Sequence, residues 1–216
     1  MTGRFLETVF LSIAALLPIM NPFSTAPLFV SLTAGFSDQK RKRQALLGCS
    51  YAFGILLVFL LMGSAIIDFF SISVAGIRVA GGLIVSTIGL RMLFATSEAA
   101  PEASGVEAKT SNIAFTPIAM PSLAGPGSIS VVLSAAGRIE EMDPRKWPEI
   151  YAAIIIAMGV TLGITYLILR GASLMVKFLG HDGLDAMTRI FGFLLVCIGV
   201  QFLLTGVAYF FGIHIR

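Results

Sequence analysis

Six stretches of this chain are apolar and long enough for a helix to cross a bilayer, which takes about 20 residues, and the first is too long for one straight span. They are joined by short connections and cover residues 5–32, 45–67, 74–94, 113–136, 150–168 and 187–212. Charged residues make up 12% of the chain, whereas a soluble domain usually carries about 25%. We therefore predict an all-α polytopic membrane protein with six transmembrane helices, surrounded by a lipid bilayer.

A pattern of three prolines occurs twice in the sequence. In the first apolar stretch, the run PIMNPFSTAP places Pro18, Pro22 and Pro27 four and five residues apart. The run PIAMPSLAGP repeats these spacings 99 residues later. Two glycines seven residues apart, Gly82 and Gly89, also recur at an offset of 110 residues. The second proline set is Pro117, Pro121 and Pro126, and the second glycine pair is Gly192 and Gly199.

These repeats indicate that spans one to three resemble spans four to six. Because three is an odd number, the second copy must enter the membrane from the opposite side, as in the inverted repeats of secondary transporters. We predict a first three-helix repeat over residues 1–94, a connecting loop over residues 95–112 and a second, inverted three-helix repeat over residues 113–216. Two unrelated proline-kinked helices are the alternative explanation.

The prolines predict that helices 1 and 4 are discontinuous. Proline lacks a backbone N–H, and it pushes the preceding residue away from helical angles. The Asn21-Pro22 and Met120-Pro121 pairs are thus natural stopping points, and residues 124–127 add two glycines beside a proline. Broken backbone at membrane depth survives only where it is buried in protein or lines a wet cavity.

Two such breaks suit a small zwitterion. The N–H groups at the start of a half-helix attract a carboxylate, and freed carbonyls attract an ammonium group. A zwitterionic amino acid carries both groups, although other small polar solutes fit the same chemistry. The candidate substrate-binding residues are Asn21, Pro22, Ser24, Thr25, Pro27, Pro121, Ser122, Ala124, Gly125, Pro126, Gly127 and Ser128.

The small residues near the breaks also have a structural interpretation, because small side chains let helices approach closely. For any single serine, packing competes with binding. Asn21 differs, since an amide in the middle of a span usually has a function. We interpret it as a substrate or gating contact, with capping of the second half-helix as the competing role.

Other kinds of site are not predicted. No acidic residue lies near the middle of a span, so a central proton relay is not indicated. His181 and His214 lie outside the spans, which leaves Ser128 without an activating histidine and argues against a metal site. Cys49 and Cys197 are interpreted as apolar residues rather than a disulfide. We predict no enzymatic activity, no catalytic residue, no cofactor and no metal.

The basic residues indicate orientation rather than nucleic-acid binding. Nine Lys and Arg residues fall on one side of the predicted membrane and six on the other, the margin coming mostly from residues 40–43. Because Lys and Arg favour the cytoplasmic side, we predict that both termini are periplasmic. Glu7 lies early in the first apolar stretch, and no small-x-small cleavage site is followed by a soluble domain, so we predict a retained first helix rather than a signal peptide.

The run ALLPIMNPFSTAPLFVSLTAGFS with the following basic cluster, and the run PIAMPSLAGPGSIS, resemble the MarC family of bacterial inner-membrane proteins over essentially the whole chain. The resemblance implies six spans, an inverted repeat with discontinuous first and fourth helices, and an inner-membrane location. Some members of the family transport small neutral amino acids such as alanine and glycine. Family site residues map onto Asn21, Pro22 and residues 124–127. Ser24 and Thr25 stand where relatives often have glycine, which bears on the size of the substrate.

From these features and the resemblance, we predict a secondary transporter or exporter of small neutral amino acids, or of related small metabolites. The alternative is a MarC-type membrane protein of uncertain activity, associated with antibiotic or stress response. A channel is a third class, and its continuous pore would require several copies of so small a chain. The sequence is compatible with a homo-oligomer.

Overall fold

The computed structural model describes residues 2–94, 113–140 and 142–213. Throughout these ranges the regular secondary structure is helical. The predicted connecting loop, residues 95–112, lies outside the described residues. The helices are α1 (Thr2–Met20), α2 (Pro22–Leu32), α3 (Asp38–Leu61), α4 (Gly63–Phe69), α5 (Val74–Leu93), α6 (Pro126–Glu140), α7 (Pro144–Gly180) and α8 (Gly183–Phe210). A distorted π-helical segment, Ala114–Leu123, precedes α6.

Within the described ranges, four helices, α3, α5, α7 and α8, are long and apolar enough to cross a membrane. A fifth candidate span consists of α1 and α2, which meet at an angle of 43°. The all-helical, membrane-spanning class is therefore confirmed. The fourth predicted span, residues 113–136, is divided between the Ala114–Leu123 segment of 10 residues and α6 of 15 residues, so neither piece alone has the length of a span.

Local signals explain where the long helices begin and end. Ser37 and Ser73 cap α3 and α5, their hydroxyl oxygens accepting from the N–H groups of Lys40 and Gly76. Helix α3 therefore starts seven residues before its predicted apolar span, and the basic cluster at residues 40–43 lies in its first turns. The chain turns between α7 and α8 at Gly180, whose φ of 64° lies in the left-handed region that favours glycine.

Helices α5 and α8 make backbone-to-backbone contact through the repeated glycines. A Cβ atom added to Gly82 would lie 2.6 Å from the Gly199 carbonyl oxygen, and one added to Gly199 would lie 2.7 Å from the Gly82 carbonyl oxygen. Gly89 and Gly192 face each other in the same way, at 2.6 and 2.9 Å. Because the pairs run in opposite sequence order, the two helices are antiparallel. Small residues provide this close approach without a large apolar interface.

The largest buried cluster surrounds both helix breaks. It includes Met20 and Ala26 on either side of the first break, and Leu123 and Ala124 at the second. Helices α3 and α7 complete the cluster, with Met158 of α7 fully buried. Irregular backbone in this protein is thus enclosed by side chains, which is the condition under which it is tolerated at membrane depth.

Candidate functional site

The first break is a single residue, Asn21, between α1 and α2. Its backbone has φ 42° and ψ 64°, a left-handed conformation that asparagine tolerates better than most residues. The Asn21 Oδ1 atom accepts a hydrogen bond from the Ser24 N–H at 3.2 Å and caps α2. The Thr25 hydroxyl donates to the Asn21 carbonyl at 3.2 Å. Pro22 occupies the first position of α2, where its missing N–H costs nothing. The predicted stopping point is confirmed.

The other end of the Asn21 amide makes a long-range contact. Its Nδ2 group donates to the Sδ atom of Met92, 3.1 Å away in the last turn of α5. Asn21 is 7% exposed, so both ends of a nearly buried amide have a partner. The capping role of Asn21 is therefore present through its Oδ1 atom, and its contact with a substrate stays a prediction.

The second break extends over several residues. Thr116 and Met120, each directly before a proline, have extended angles of φ −125°, ψ 123° and φ −128°, ψ 125°. This is the distortion that a following proline imposes, and the predicted stop at Met120 is confirmed. Helix α6 then begins at Pro126, and the Ser128 hydroxyl donates across the break to the Leu123 carbonyl at 2.9 Å.

A cavity of about 360 Å³ lies between the two breaks, within the range of about 300–1,000 Å³ that is usual for small-molecule sites. Of the twelve residues predicted to bind substrate, eight line it. These eight are Asn21, Ser24, Thr25, Ser122, Gly125, Pro126, Gly127 and Ser128. Three more, Pro22, Pro27 and Ala124, are close in sequence to lining residues but do not line the cavity themselves. The side chain of Pro121 lies outside what the structure describes.

The remaining wall of the cavity is apolar and was not predicted. It consists of Ile19, Met20, Leu28, Val85, Ile88, Met92, Pro117 and Leu195. Val85, Ile88 and Met92 recur at the three- and four-residue spacing of a helix face. That spacing also describes a face packed in a core or turned to lipid, so it does not by itself identify a cavity.

The described lining contains no Asp, Glu, Lys, Arg or His. Its polar groups are the Asn21 amide, the hydroxyls of Ser24, Thr25, Ser122 and Ser128, and the backbone at the breaks. The first amide groups of a helix have no acceptor within that helix and carry partial positive charge. Gly127 lies in this first turn of α6, where an added Cβ atom would come within 2.9 Å of Val85.

Metal ligands and cysteines are the other candidate groups to consider among the described residues. Within those ranges, no group of three or more His, Cys, Asp or Glu side chains is placed to hold a metal ion. Cys49, buried in α3, and Cys197, exposed on α8, are both free thiols. The cavity between the polar breaks brings eight of the predicted site residues together in one place.

The sequence matches known proteins over most of its length. The model of the MarC family, described as a family of integral membrane proteins, matches residues 6–211. Inner membrane protein MarC of Citrobacter koseri is 38% identical over 209 residues, covering 93% of this chain and 94% of the relative. The proteins of the same name from a strain of Escherichia coli and from Salmonella paratyphi B give the same values. No solved structure matches.

The names of these relatives give a location and no substrate or enzymatic activity. With the apolar helices, they support a multi-pass protein of the inner membrane. The match to the family model and the relatives' coverage together decide the classification: this chain belongs to the MarC family of integral membrane proteins.

Proposed function

We propose that this protein is a secondary transporter or exporter of small neutral amino acids, of the size of alanine or glycine, or of closely related metabolites. The observation that carries the proposal is the uncharged cavity between the two helix breaks. It is large enough for such a solute, and its polar groups are an amide, hydroxyls and backbone dipoles.

The charge balance of the cavity favours a zwitterion over an ion. A solute with net charge would enter a low-dielectric site that offers no opposite charge, at a large desolvation cost. A zwitterion needs partial charges of both signs. The first turn of α6, at Gly127 and Ser128, supplies N–H groups for a carboxylate. Carbonyl groups of the broken backbone before Pro126, which cannot donate an N–H to them, are proposed to accept from an ammonium group.

The reciprocal glycine contacts support an inverted repeat. Gly82 and Gly192 are equivalent in the sequence alignment of the two halves, as are Gly89 and Gly199. Gly82 faces Gly199, which is the equivalent of Gly89, and Gly89 faces Gly192, which is the equivalent of Gly82. A two-fold axis between two copies requires this kind of pairing. We therefore retain six spans, with discontinuous first and fourth helices, as part of the proposal.

The position of the cavity agrees with such an architecture. Its walls come from α1, α2 and α5 in the first half, and from the Ala114–Leu123 segment, α6 and α8 in the second half. Secondary transporters built from inverted repeats bind substrate at the interface between the repeats. The proposed orientation, with both termini periplasmic, rests on the excess of Lys and Arg on the opposite side.

The proposal is tested with purified protein in proteoliposomes loaded with unlabelled alanine. Counterflow of external radiolabelled alanine is expected, it is expected to saturate, and excess external unlabelled alanine is expected to compete with it. Gly127→Ala should lower the rate about tenfold, because an added methyl group enters the cavity wall. Gly163→Ala, in open space on α7, is the matched control.

Two results would contradict the proposal. Absence of counterflow for both alanine and glycine would remove small neutral amino acids as substrates. Uptake that does not saturate would instead favour a channel. The alternative is an inner-membrane protein linked to antibiotic or stress response without amino acid transport, and the relatives' names, which give only an inner-membrane location, do not separate it from a transporter. The alternative predicts altered drug susceptibility on expression, with no change in alanine efflux.

A further inference from the structure

We infer that the thioether of Met92 is a placeholder for the carboxylate of the solute. The Met92 sulfur accepts a hydrogen bond from Asn21 Nδ2, and the arriving carboxylate displaces the sulfur and takes that bond. The inference rests on the proposed function and adds a residue that determines which solutes bind.

The hydrogen bonds of Asn21 divide into local and long-range ones. Its backbone N–H donates to the Leu17 carbonyl, its carbonyl accepts from the Thr25 hydroxyl, and Oδ1 accepts from the Ser24 N–H. All of these bonds hold the break itself. Nδ2 instead contacts Met92, 71 residues further along the chain. The cap at Oδ1 fixes which end of the amide faces the cavity, and that end is the donor.

Sulfur is a poor partner for such a donor. A thioether is a weak hydrogen-bond acceptor, whereas a carboxylate oxygen is a strong, charge-assisted one. A carboxylate oxygen therefore makes a stronger hydrogen bond with the Asn21 Nδ2 group than the sulfur does. The exchange also keeps the nearly buried amide partnered in both states, since an unpartnered N–H would be costly there.

Met92 is suited to moving aside. Its side chain is unbranched and has three rotatable bonds, so the sulfur can change place without a backbone shift. It lies in the last turn of α5 and is only partly buried. Asn21 and Met92 both line the cavity that contains the first turn of α6. A carboxylate bound in this cavity would have two kinds of N–H donor around it, the Asn21 side-chain amide and the backbone amides in the first turn of α6.

The test uses alanine counterflow with purified full-length protein and variants that separate the two atoms of the Asn21 amide. Asn21→Asp keeps an oxygen to cap α2 and loses the donor, so the half-saturating alanine concentration is expected to rise about 10- to 100-fold. Met92→Leu keeps the side-chain size and removes the sulfur, so that concentration is expected to fall. Met62→Leu, at an exposed methionine, is the matched control.

The outcomes distinguish the inference from the function on which it rests. If wild-type protein exchanges alanine and Asn21→Asp keeps the wild-type half-saturation, the inference is overturned and the function stands. If wild-type protein exchanges neither alanine nor glycine, both are overturned.

A second measurement applies if Asn21→Asp does not reach the membrane. In a Cys197→Ala background, with Cys49 buried, Met92→Cys places a thiol at the contact. Alanine is expected to speed alkylation at position 92 severalfold by displacing that side chain. An unchanged rate in a protein that exchanges alanine would refute the inference.

Discussion

At the scale of single residues, Asn21 combines an unusual backbone with two separate side-chain contacts. Its φ of 42° suits asparagine and glycine far better than alanine. The obvious variant, Asn21→Ala, therefore removes the cap, removes the contact with Met92 and strains the backbone at once. A loss of transport in that variant has three causes that cannot be told apart.

Asn21→Gly separates backbone strain from side-chain loss. Glycine tolerates the left-handed conformation and costs an N-cap only a few tenths of a kcal/mol. We expect Asn21→Gly to reach the membrane with a near-wild-type melting temperature and reduced alanine counterflow. Asn21→Ala should be less stable by about 1–3 kcal/mol, the sum of a lost cap and a strained residue. Melting curves of the detergent-solubilised proteins check this, and equal melting temperatures for the two variants would contradict it.

At the scale of elements, the sequence predicts what depends on local sterics. The proline rule places the distortions at Asn21 and Met120, where the structure has them. The start of α3 at Asp38 was missed, because hydropathy marks the apolar part of a helix and not its polar first turns. The apolar wall of the cavity was also missed. Met92 reaches Asn21 through the packing of α5 against the break, and no local pattern specifies that packing.

The contact between α5 and α8 is the element-scale feature most sensitive to a small change. Gly82→Ala would place a methyl group 2.6 Å from the Gly199 carbonyl oxygen, against rigid backbone. We expect the melting temperature to fall, corresponding to a loss of about 1–3 kcal/mol for overpacking. Gly54→Ala, where the added atom meets open space, should leave it unchanged. Equal effects of the two substitutions would show that the helices do not pack through these glycines.

At the scale of the whole molecule, the two halves meet at the cavity, and each contributes one break. Length and hydropathy predicted the membrane class, and that prediction needed no packing information. The inverted repeat and the orientation remain proposals, because they depend on long-range symmetry and on counts of basic residues rather than on local sterics.

The orientation has a direct test in intact cells. With Cys197→Ala as background, Ile72→Cys places a thiol in the turn between α4 and α5, and Gly35→Cys places one in the turn between α2 and α3. Both positions are exposed. If both termini are periplasmic, a membrane-impermeant maleimide should label position 72 and not position 35. Permeabilised cells, in which both should react, provide the control, and the reverse pattern would invert the topology.

The uncharged lining of the cavity has a consequence for energetics. Moving one elementary charge through 100 mV of membrane potential is worth about 2.3 kcal/mol. A zwitterion has no net charge, and the described lining residues carry no charge that could move across the membrane together with the solute. Carriage of such a solute alone would be electrically silent, and its equilibrium would follow the concentration gradient of the solute. We expect alanine counterflow at an imposed potassium diffusion potential to match that at zero potential, and a voltage-dependent rate would indicate a co-transported ion.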